Sequence, residues 1–295
     1  MGEFVRIFEM SARDGLQNER RLVPAAEKIR LIDMLSDCGL QKIEATSFVS
    51  PRWVPQMADA AGVMAGIRRA PGVVYAVLVP NLKGYEAARP ANADEISVFA
   101  SASETFSHKN INCSIAESLE RFRPVLAAAT VDGIPVRGYV SCVTDCPYEG
   151  PMPPAAAVRV AAQLLAMGCY EISLGDTIGQ GTPATIAAML DAVLEEVPAE
   201  RLAGHYHDTG GRALDNILVS LEKGLRTFDA AVGGLGGCPF APGAKGNVDT
   251  LAVAAMLADK SYETGLYIER LGAAARFADS LRGGGHELRD HPCHD

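Results

Sequence analysis

The amino-acid sequence predicts a (β/α)₈ TIM barrel with an active site at the carboxyl ends of its strands. Eight short apolar runs rich in Val and Ile recur along the chain, and Ala- and Leu-rich helical stretches separate them. The runs do not alternate strictly between apolar and polar residues, which is typical of strands buried on both faces. The length of 295 residues also suits a single barrel, since this fold takes about 250 residues.

The eight predicted strands are short, and each is followed by a loop with polar residues or glycine. They span residues 5–10, 42–48, 73–79, 95–100, 136–143, 170–174, 202–207 and 227–233. Helices are predicted at 25–38, 116–129, 154–167, 182–197 and 212–223, and several of them precede the glycine that commonly ends a helix. The third unit is the weakest, because Pro90 interrupts the stretch 84–93 and leaves only a short helix.

An open doubly wound sheet is the alternative fold, but the G-x-G-x-x-G turn that would favour it does not follow the first strand. No low-complexity linker divides the chain, so we expect a single catalytic domain over residues 1–282. Residues 283–295 match no pattern that we recognise, and we expect them to form a disordered tail.

The composition excludes several classes of protein. Hydrophobic residues make up 48% and charged residues 21%, which suits a folded core and argues against disorder. No apolar run approaches the roughly 18 residues of a membrane span, and no secretory leader precedes the first strand. The net charge of −9 offers no basic surface for nucleic acid. Seven scattered cysteines without a C-x-x-C pair predict a reducing cytoplasm.

The seventh predicted strand carries the sharpest chemical signal, His205 and His207. Residues two apart on a strand share one face and lie about 6.6 Å apart along the backbone, so both imidazoles could meet on one ion. A pair of hydrogen-bonded histidines without a metal is the alternative.

The loops after the first and last strands offer further ligands. Asp14 would supply a carboxylate if it faces the two histidines, and Asn247 would add an amide oxygen; a surface ion pair between Arg13 and Asp14 is the alternative. Two imidazoles and two oxygens leave open positions in an octahedral shell, and thiolates are absent from the set. Mg²⁺ or Mn²⁺ therefore suits these residues, and zinc is the alternative.

Three other residues stand where strands end. Glu44 interrupts an apolar run, so we expect its carboxylate to have a partner such as Arg13 or a metal-bound group. Asp176 either caps the next helix or belongs to the site. Cys238 lies in the glycine-rich segment 233–247, where a loop can move and lie close to a ligand. A catalytic thiol and an inert one are the two interpretations of Cys238.

With these residues in place, the chain resembles the 3-hydroxy-3-methylglutaryl-CoA lyases, within the metal-dependent lyase and synthase barrels, from about residue 4 to about residue 272. The motifs are Arg13-Asp14-Gly-Leu-Gln-Asn-Glu, Thr46-Ser-Phe-Val-Ser-Pro-Arg-Trp-Val-Pro-Gln56, Lys109-Asn-Ile-Asn-Cys113, Arg137-Gly-Tyr-Val-Ser-Cys142, Ser173-Leu-Gly-Asp-Thr-Ile-Gly179 and Gly234-Leu-Gly-Gly-Cys-Pro-Phe240. The last motif is the specific one. Related Claisen-type synthases share Arg-Asp-Gly and H-x-H-D, but they have a Gly-Glu-Arg-x-Gly-Asn type of loop without cysteine there.

The resemblance implies a homodimer that cleaves 3-hydroxy-3-methylglutaryl-CoA to acetyl-CoA and acetoacetate, a reaction of leucine degradation and ketone-body metabolism. It implies that Mg²⁺ or Mn²⁺ is held by Asp14, His205, His207 and Asn247. Arg13 would bind the thioester carbonyl with help from Gln17, and Glu44 would support the metal shell. Cys238 would act in catalysis from a mobile loop, and Asp176 and His205 are candidates for proton transfer.

One stretch of the chain departs from the pattern of the family. After Asn247 the chain reads Val-Asp-Thr-Leu-Ala where many members have Val-Ala-Thr-Glu-Asp, so Leu251 replaces an acidic group for which Asp249 could compensate.

A Claisen-condensing acyl-CoA synthase is the first alternative function, and the loop with Cys238 argues against it. A non-catalytic barrel that binds metal or CoA is the second, and the intact ligand set argues against that.

Overall fold

The computed structural model describes residues 2–236 and 246–282. Cys238, which the sequence singles out as a candidate catalytic thiol, lies outside the described residues, and so does the expected tail at 283–295.

Within the described residues, eight parallel strands close into a barrel, which confirms the predicted fold. Each barrel strand pairs with the next along the chain, and the first pairs with the last, with Arg6 opposite Thr227. The strands are β1 (Arg6–Glu9), β2 (Lys42–Ser47), β3 (Val74–Leu78), β4 (Glu95–Ser101), β5 (Val136–Ser141), β8 (Glu171–Asp176), β9 (Leu202–Tyr206) and β10 (Thr227–Ala230). Between β5 and β8, the short strands β6 (Asp145–Cys146) and β7 (Gly150–Pro151) form a separate antiparallel hairpin.

The helices surround the barrel, and every predicted helix is present within a few residues of its predicted bounds. The described helices are α1 (Ala25–Ser36), α2 (Ala60–Gly66), α3 (Leu82–Ala88), α4 (Glu104–Ile111), α5 (Ile115–Asp132), α6 (Pro154–Ala166), α7 (Pro183–Val193), α8 (Ala213–Glu222), α9 (Thr250–Asp259) and α10 (Ile268–Leu281). The third unit has the expected short helix, since α3 gives way to a 3₁₀ turn at Arg89–Ala91 that contains Pro90. None of the described helices is long and apolar enough to cross a membrane.

The layer between strands and helices is apolar, whereas the inside of the barrel holds charged side chains next to Phe8 and Met10. Arg137 on β5 is fully buried there. Its two terminal nitrogens donate to the carboxylate of Asp229 on β10 at 2.8 and 3.0 Å, and its Nε donates to Glu171 on β8 at 2.7 Å. Although burial disfavours the charge, Asp229 and Glu171 together keep the pKa of Arg137 well above its usual range. One guanidinium thus connects three strands across the interior.

We predict that Arg137→Met lowers the free energy of unfolding by about 3–5 kcal/mol, because it leaves two buried carboxylates without their cation. Equilibrium urea unfolding, followed by circular dichroism, measures this loss. Arg123→Met is the matched control, since the Arg123–Glu120 pair on α5 is well exposed and such pairs contribute at most about 1 kcal/mol. Equal losses in the two variants would contradict a special role for the interior pair.

Candidate active site

Three side chains that the sequence proposes as metal ligands meet at the mouth of the barrel. His205 lies on β9 and His207 directly after it, while Asp14 lies on a single π-helical turn, Ser11–Gly15, that follows β1. The two Nε2 atoms are 3.3 Å apart, and Asp14 Oδ2 lies 4.0 Å from that of His205 and 3.9 Å from that of His207. Opposite ligands of Mg²⁺ are about 4.2 Å apart, since each lies about 2.1 Å from the ion. The three atoms are therefore close enough to share one small cation.

Asn247, the fourth proposed ligand, has its amide oriented by its neighbours. Its Nδ2 donates to Asp14 Oδ2 at 2.8 Å and to the carbonyl oxygen of Leu235 at 3.1 Å. Both partners are acceptors, so the nitrogen must point toward them. The Oδ1 atom is buried and accepts no hydrogen bond from the described residues. A buried amide oxygen in this situation lacks a partner that a bound cation would provide.

Arg13 is held beside these ligands by two carboxylates. Its Nη1 donates to Asp14 Oδ1 at 2.6 Å, and its Nε forms a short contact with Glu44 Oε2. The buried Glu44 carboxylate is thus paired with Arg13, which is one of the two partners that the sequence predicts for it. Burial opposes ionisation of Asp14, but Arg13, His207 and His205 together outweigh it and keep the pKa of this carboxyl well below its usual range. Asp14 is therefore ionised at neutral pH, as a ligand to a cation must be.

The charges around the mouth fit a divalent cation. Arg13 faces Asp14 and Glu44, while Arg137 deeper in the barrel faces Glu171 and Asp229. At the mouth itself, one guanidinium thus faces two carboxylates. Carboxylates that outnumber the cations in a largely buried site favour the binding of a further cation.

Asp229 contacts His205, one of the proposed ligands, although the sequence did not single it out. Its Oδ2 atom lies 3.1 Å from His205 Nδ1, on the side of the ring opposite the ligand atom. The Ser173 hydroxyl donates to the same oxygen at 2.8 Å. Burial raises the pKa of Asp229, but Arg137 and His205 together lower it to about 2. The sequence offered the same signal here as at Glu44, namely a carboxylate within an apolar run.

Tyr139 is a second residue that the sequence did not single out. Its hydroxyl donates to Glu44 Oε1 at 3.2 Å, and its ring lies between the guanidinium carbons of Arg13 and Arg137, at 5.6 and 5.0 Å from the ring centroid. Burial, together with the negative charge of Glu44, raises its pKa well above the usual range. The phenol is therefore a neutral hydrogen-bond donor to the carboxylate that holds Arg13.

The structure gives Asp176 a definite local contact. Its carboxylate is fully buried and accepts the backbone N–H groups of Gly181 at 2.9 Å and Gln180 at 3.2 Å, so it organises the loop after β8. The residue that caps the following helix is Thr182 rather than Asp176. Burial raises the pKa of Asp176. Gln17 lies partly buried, two residues beyond the π-helical turn that carries Arg13.

The two residues that depart from the family pattern are occupied elsewhere. Asp249 caps α9 by accepting the backbone N–H of Ala252 at 3.3 Å, and its other oxygen accepts that of Gly233 at 2.8 Å. Leu251 packs against the hydrophobic layer outside the barrel. The Asp249 carboxylate thus joins the start of α9 to the turn after β10.

Known proteins resemble this chain over almost its whole length. The hydroxymethylglutaryl-CoA lyase of Gallus gallus, a mitochondrial protein, is 59% identical over 267 residues, which are 90% of each chain. The structure of the HMG-CoA lyase from Brucella melitensis superposes with a TM-score of 0.94 at 69% identity, covering 95% of this chain and 99% of that one. An HMG-CoA lyase from Acinetobacter baumannii, in complex with coenzyme A and 3-methylmalate, superposes with a TM-score of 0.90 at 35% identity over 98% of both chains.

The match to a family is equally extensive. Residues 4–278 correspond to the family described as HMGL-like, and this range includes all the candidate site residues. The chain belongs to the HMGL-like family.

Proposed function

We propose that this protein is a carbon–carbon lyase that cleaves 3-hydroxy-3-methylglutaryl-CoA to acetyl-CoA and acetoacetate. The observation that carries the proposal is the convergence of Asp14, His205, His207 and Asn247 beside Arg13 at the barrel mouth. It occurs in a chain whose relatives and structural neighbours are named for this activity. An acyl-CoA substrate agrees with the Acinetobacter baumannii lyase, whose structure contains coenzyme A.

The proposed cofactor is Mg²⁺ or Mn²⁺, held by Asp14, His205, His207 and Asn247. These residues offer two imidazoles and two oxygens without a thiolate, a set that suits either ion. When bound, such a cation lowers the pKa of a hydroxyl group that it contacts.

The reaction breaks the bond between C2 and C3 of the substrate. The C3 hydroxyl loses its proton and becomes the carbonyl group of acetoacetate, while the electron pair of the broken bond moves to C2 and onto the thioester oxygen. Arg13 is proposed to donate to this oxygen through Nη2, for which the described residues provide no hydrogen-bond acceptor. Because the negative charge develops only as the bond breaks, this contact stabilises the transition state more than the substrate.

The proton transfers need one acceptor and one donor. Asp176 and His205 are the candidates for accepting the hydroxyl proton, and the raised pKa of Asp176 suits proton exchange nearer neutral pH. Cys238 is proposed to return a proton to C2, which completes acetyl-CoA; this role comes from the sequence, since Cys238 lies outside the described residues. Glu44 and Asp14 hold Arg13 in place, and Gln17 is proposed to contact the substrate.

A homodimer in a reducing cytoplasm is the proposed form of the protein. The dimer is inferred from the family resemblance, and sedimentation velocity tests it. The described cysteines, Cys38, Cys113, Cys142, Cys146 and Cys169, carry free thiols, which agrees with a reducing compartment.

A coupled assay tests the proposed reaction. The purified protein is incubated with 3-hydroxy-3-methylglutaryl-CoA and Mg²⁺ or Mn²⁺, and acetoacetate and acetyl-CoA are quantified separately. We expect equal amounts of both products and loss of activity after treatment with EDTA. A parallel incubation of acetyl-CoA with 2-oxo acids, followed by release of free CoA, tests the synthase alternative. Condensation without cleavage would overturn the lyase assignment.

We predict that His207→Ala lowers the affinity for Mn²⁺ and nearly abolishes cleavage, because one of the two imidazoles that face the cation is lost. Electron paramagnetic resonance of free Mn²⁺ measures the affinity, and circular dichroism checks the fold. His108→Ala is the control, since His108 is exposed on α4. Unchanged turnover of His207→Ala in metal-limited buffer would remove His207 from the ligand set.

We predict that Arg13→Lys lowers kcat at least ~10²-fold, equivalent to ~2.7 kcal/mol of activation free energy. Lysine keeps the positive charge, but it lacks the planar fork that contacts Asp14, Glu44 and the thioester oxygen simultaneously. Steady-state kinetics at saturating Mg²⁺ measure the change, with Arg159→Lys on the exposed side of α6 as the control. A decrease of less than tenfold would assign the stabilisation of the oxyanion to another group.

A further inference from the structure

We propose that Asp229 is a positioning residue that keeps the proton of His205 on Nδ1, so that His205 acts as a metal ligand through Nε2 and not as a base. The inference rests on the proposed metal centre. It also decides between the two roles that the sequence leaves open for His205.

The register of the sheet places Asp229 beside His205. Asp229 on β10 is paired with His205 on β9, so the two side chains lie next to each other inside the barrel. The distance from His205 Nδ1 to Asp229 Oδ2 is 3.1 Å. This geometry comes from paired strands, and does not depend on the loops around the mouth.

The Asp229 carboxylate is itself held in place by neighbouring side chains. Arg137 grips both carboxylate oxygens, at 2.8 and 3.0 Å, and the Ser173 hydroxyl donates to Oδ2 at 2.8 Å. Arg137 in turn is anchored to Glu171 on a third strand. A carboxylate held by a two-pronged guanidinium contact is ionised and can only accept hydrogen bonds. The hydrogen atom between Asp229 and His205 therefore belongs to the imidazole.

The other ring nitrogen of His205, Nε2, is left with the lone pair. A neutral imidazole has one proton, so a proton on Nδ1 leaves the lone pair on Nε2. Nε2 is the atom that lies 3.3 Å from His207 Nε2 and 4.0 Å from Asp14 Oδ2. With Nδ1 donating to Asp229 and Nε2 directed at the cation, neither nitrogen is available to take the hydroxyl proton of the substrate. Proton acceptance then falls to another group, of which Asp176 is the sequence candidate.

Nuclear magnetic resonance of the wild-type protein tests the tautomer directly. The protein is labelled with ¹⁵N-histidine and loaded with Mg²⁺, and multiple-bond ¹H–¹⁵N spectra identify which ring nitrogen carries the proton. A His205→Gln variant assigns the signals of His205. We expect a protonated Nδ1 and an unprotonated Nε2. A proton on Nε2 in the loaded protein would overturn the inference.

A pair of variants tests whether Asp229 is responsible. Asp229→Asn keeps the shape of the side chain but removes its charge, and its amide can donate to Nδ1 and thereby favour the wrong tautomer. We expect its affinity for Mn²⁺ to fall about 10- to 100-fold, the range for partners behind a metal ligand. Ser173→Ala is the matched control, because it removes a hydrogen bond to the same carboxylate but leaves the contacts with Arg137 and His205, and we expect little change in affinity.

The outcomes separate this inference from the proposed function, because both measurements are made without substrate. A folded Asp229→Asn variant that binds Mn²⁺ as tightly as the wild type would overturn the role of Asp229. If Asp229→Asn does not fold, the tautomer in the wild-type protein still decides the question. A protein that binds Mn²⁺ with Nδ1 of His205 protonated but does not cleave the thioester would refute the proposed reaction and leave the positioning role intact.

Discussion

The ion pair between Arg137 and Asp229 is the interaction on which the centre of this barrel depends. Arg137 is a fully buried cation, and its hydrogen bonds connect strands that are far apart in the sequence. Burial of such a charge is tolerable only because carboxylates surround it. Asp229 Oδ2 also lies 3.1 Å from His205 Nδ1, so the pair that holds the interior together is in direct contact with one of the proposed ligands.

The interior charges explain why the proposed metal centre lies at the barrel mouth. Each guanidinium contacts two carboxylates. Deeper in the barrel, Arg137 contacts Glu171 and Asp229, and both carboxylates are buried. Near the mouth, Asp14 contacts Arg13 but also faces His205 and His207, and it is partly exposed to solvent. A cation can therefore reach the partly exposed donors at the mouth, whereas Glu171 and Asp229 are buried against Arg137.

Much of this arrangement could be predicted from local patterns. The apolar runs predict the strands, because a strand that is buried on both faces consists mainly of apolar residues. The spacing of His205 and His207 predicts that both rings lie on one face of their strand. Pro90 correctly predicts a short third helix. A buried carboxylate requires a partner, so the sequence predicts that Glu44 contacts either Arg13 or a metal-bound group.

Contacts between distant strands could not be predicted in the same way. Arg137 and Asp229 are separated by 92 positions, and only the curvature of the closed barrel brings them together. The contacts of Asp176 also depend on tertiary structure, since the loop after β8 folds back so that its N–H groups reach the carboxylate. Local sequence left a helix cap as the alternative to a site role there, and the chain uses Thr182 as the cap instead.

Closure of the barrel also assembles the proposed ligand set. Asp14 follows the first strand and Asn247 the last, and their side chains meet because β1 pairs with β10. Behind this seam the buried Glu9 accepts the backbone N–H of Val232 at 3.1 Å and the hydroxyl of Thr250 at 2.7 Å, which joins β1 to the turn after β10 and to the start of α9. A cation that requires both Asp14 and Asn247 binds only the closed barrel. Its binding free energy therefore adds to the stability of the closed state.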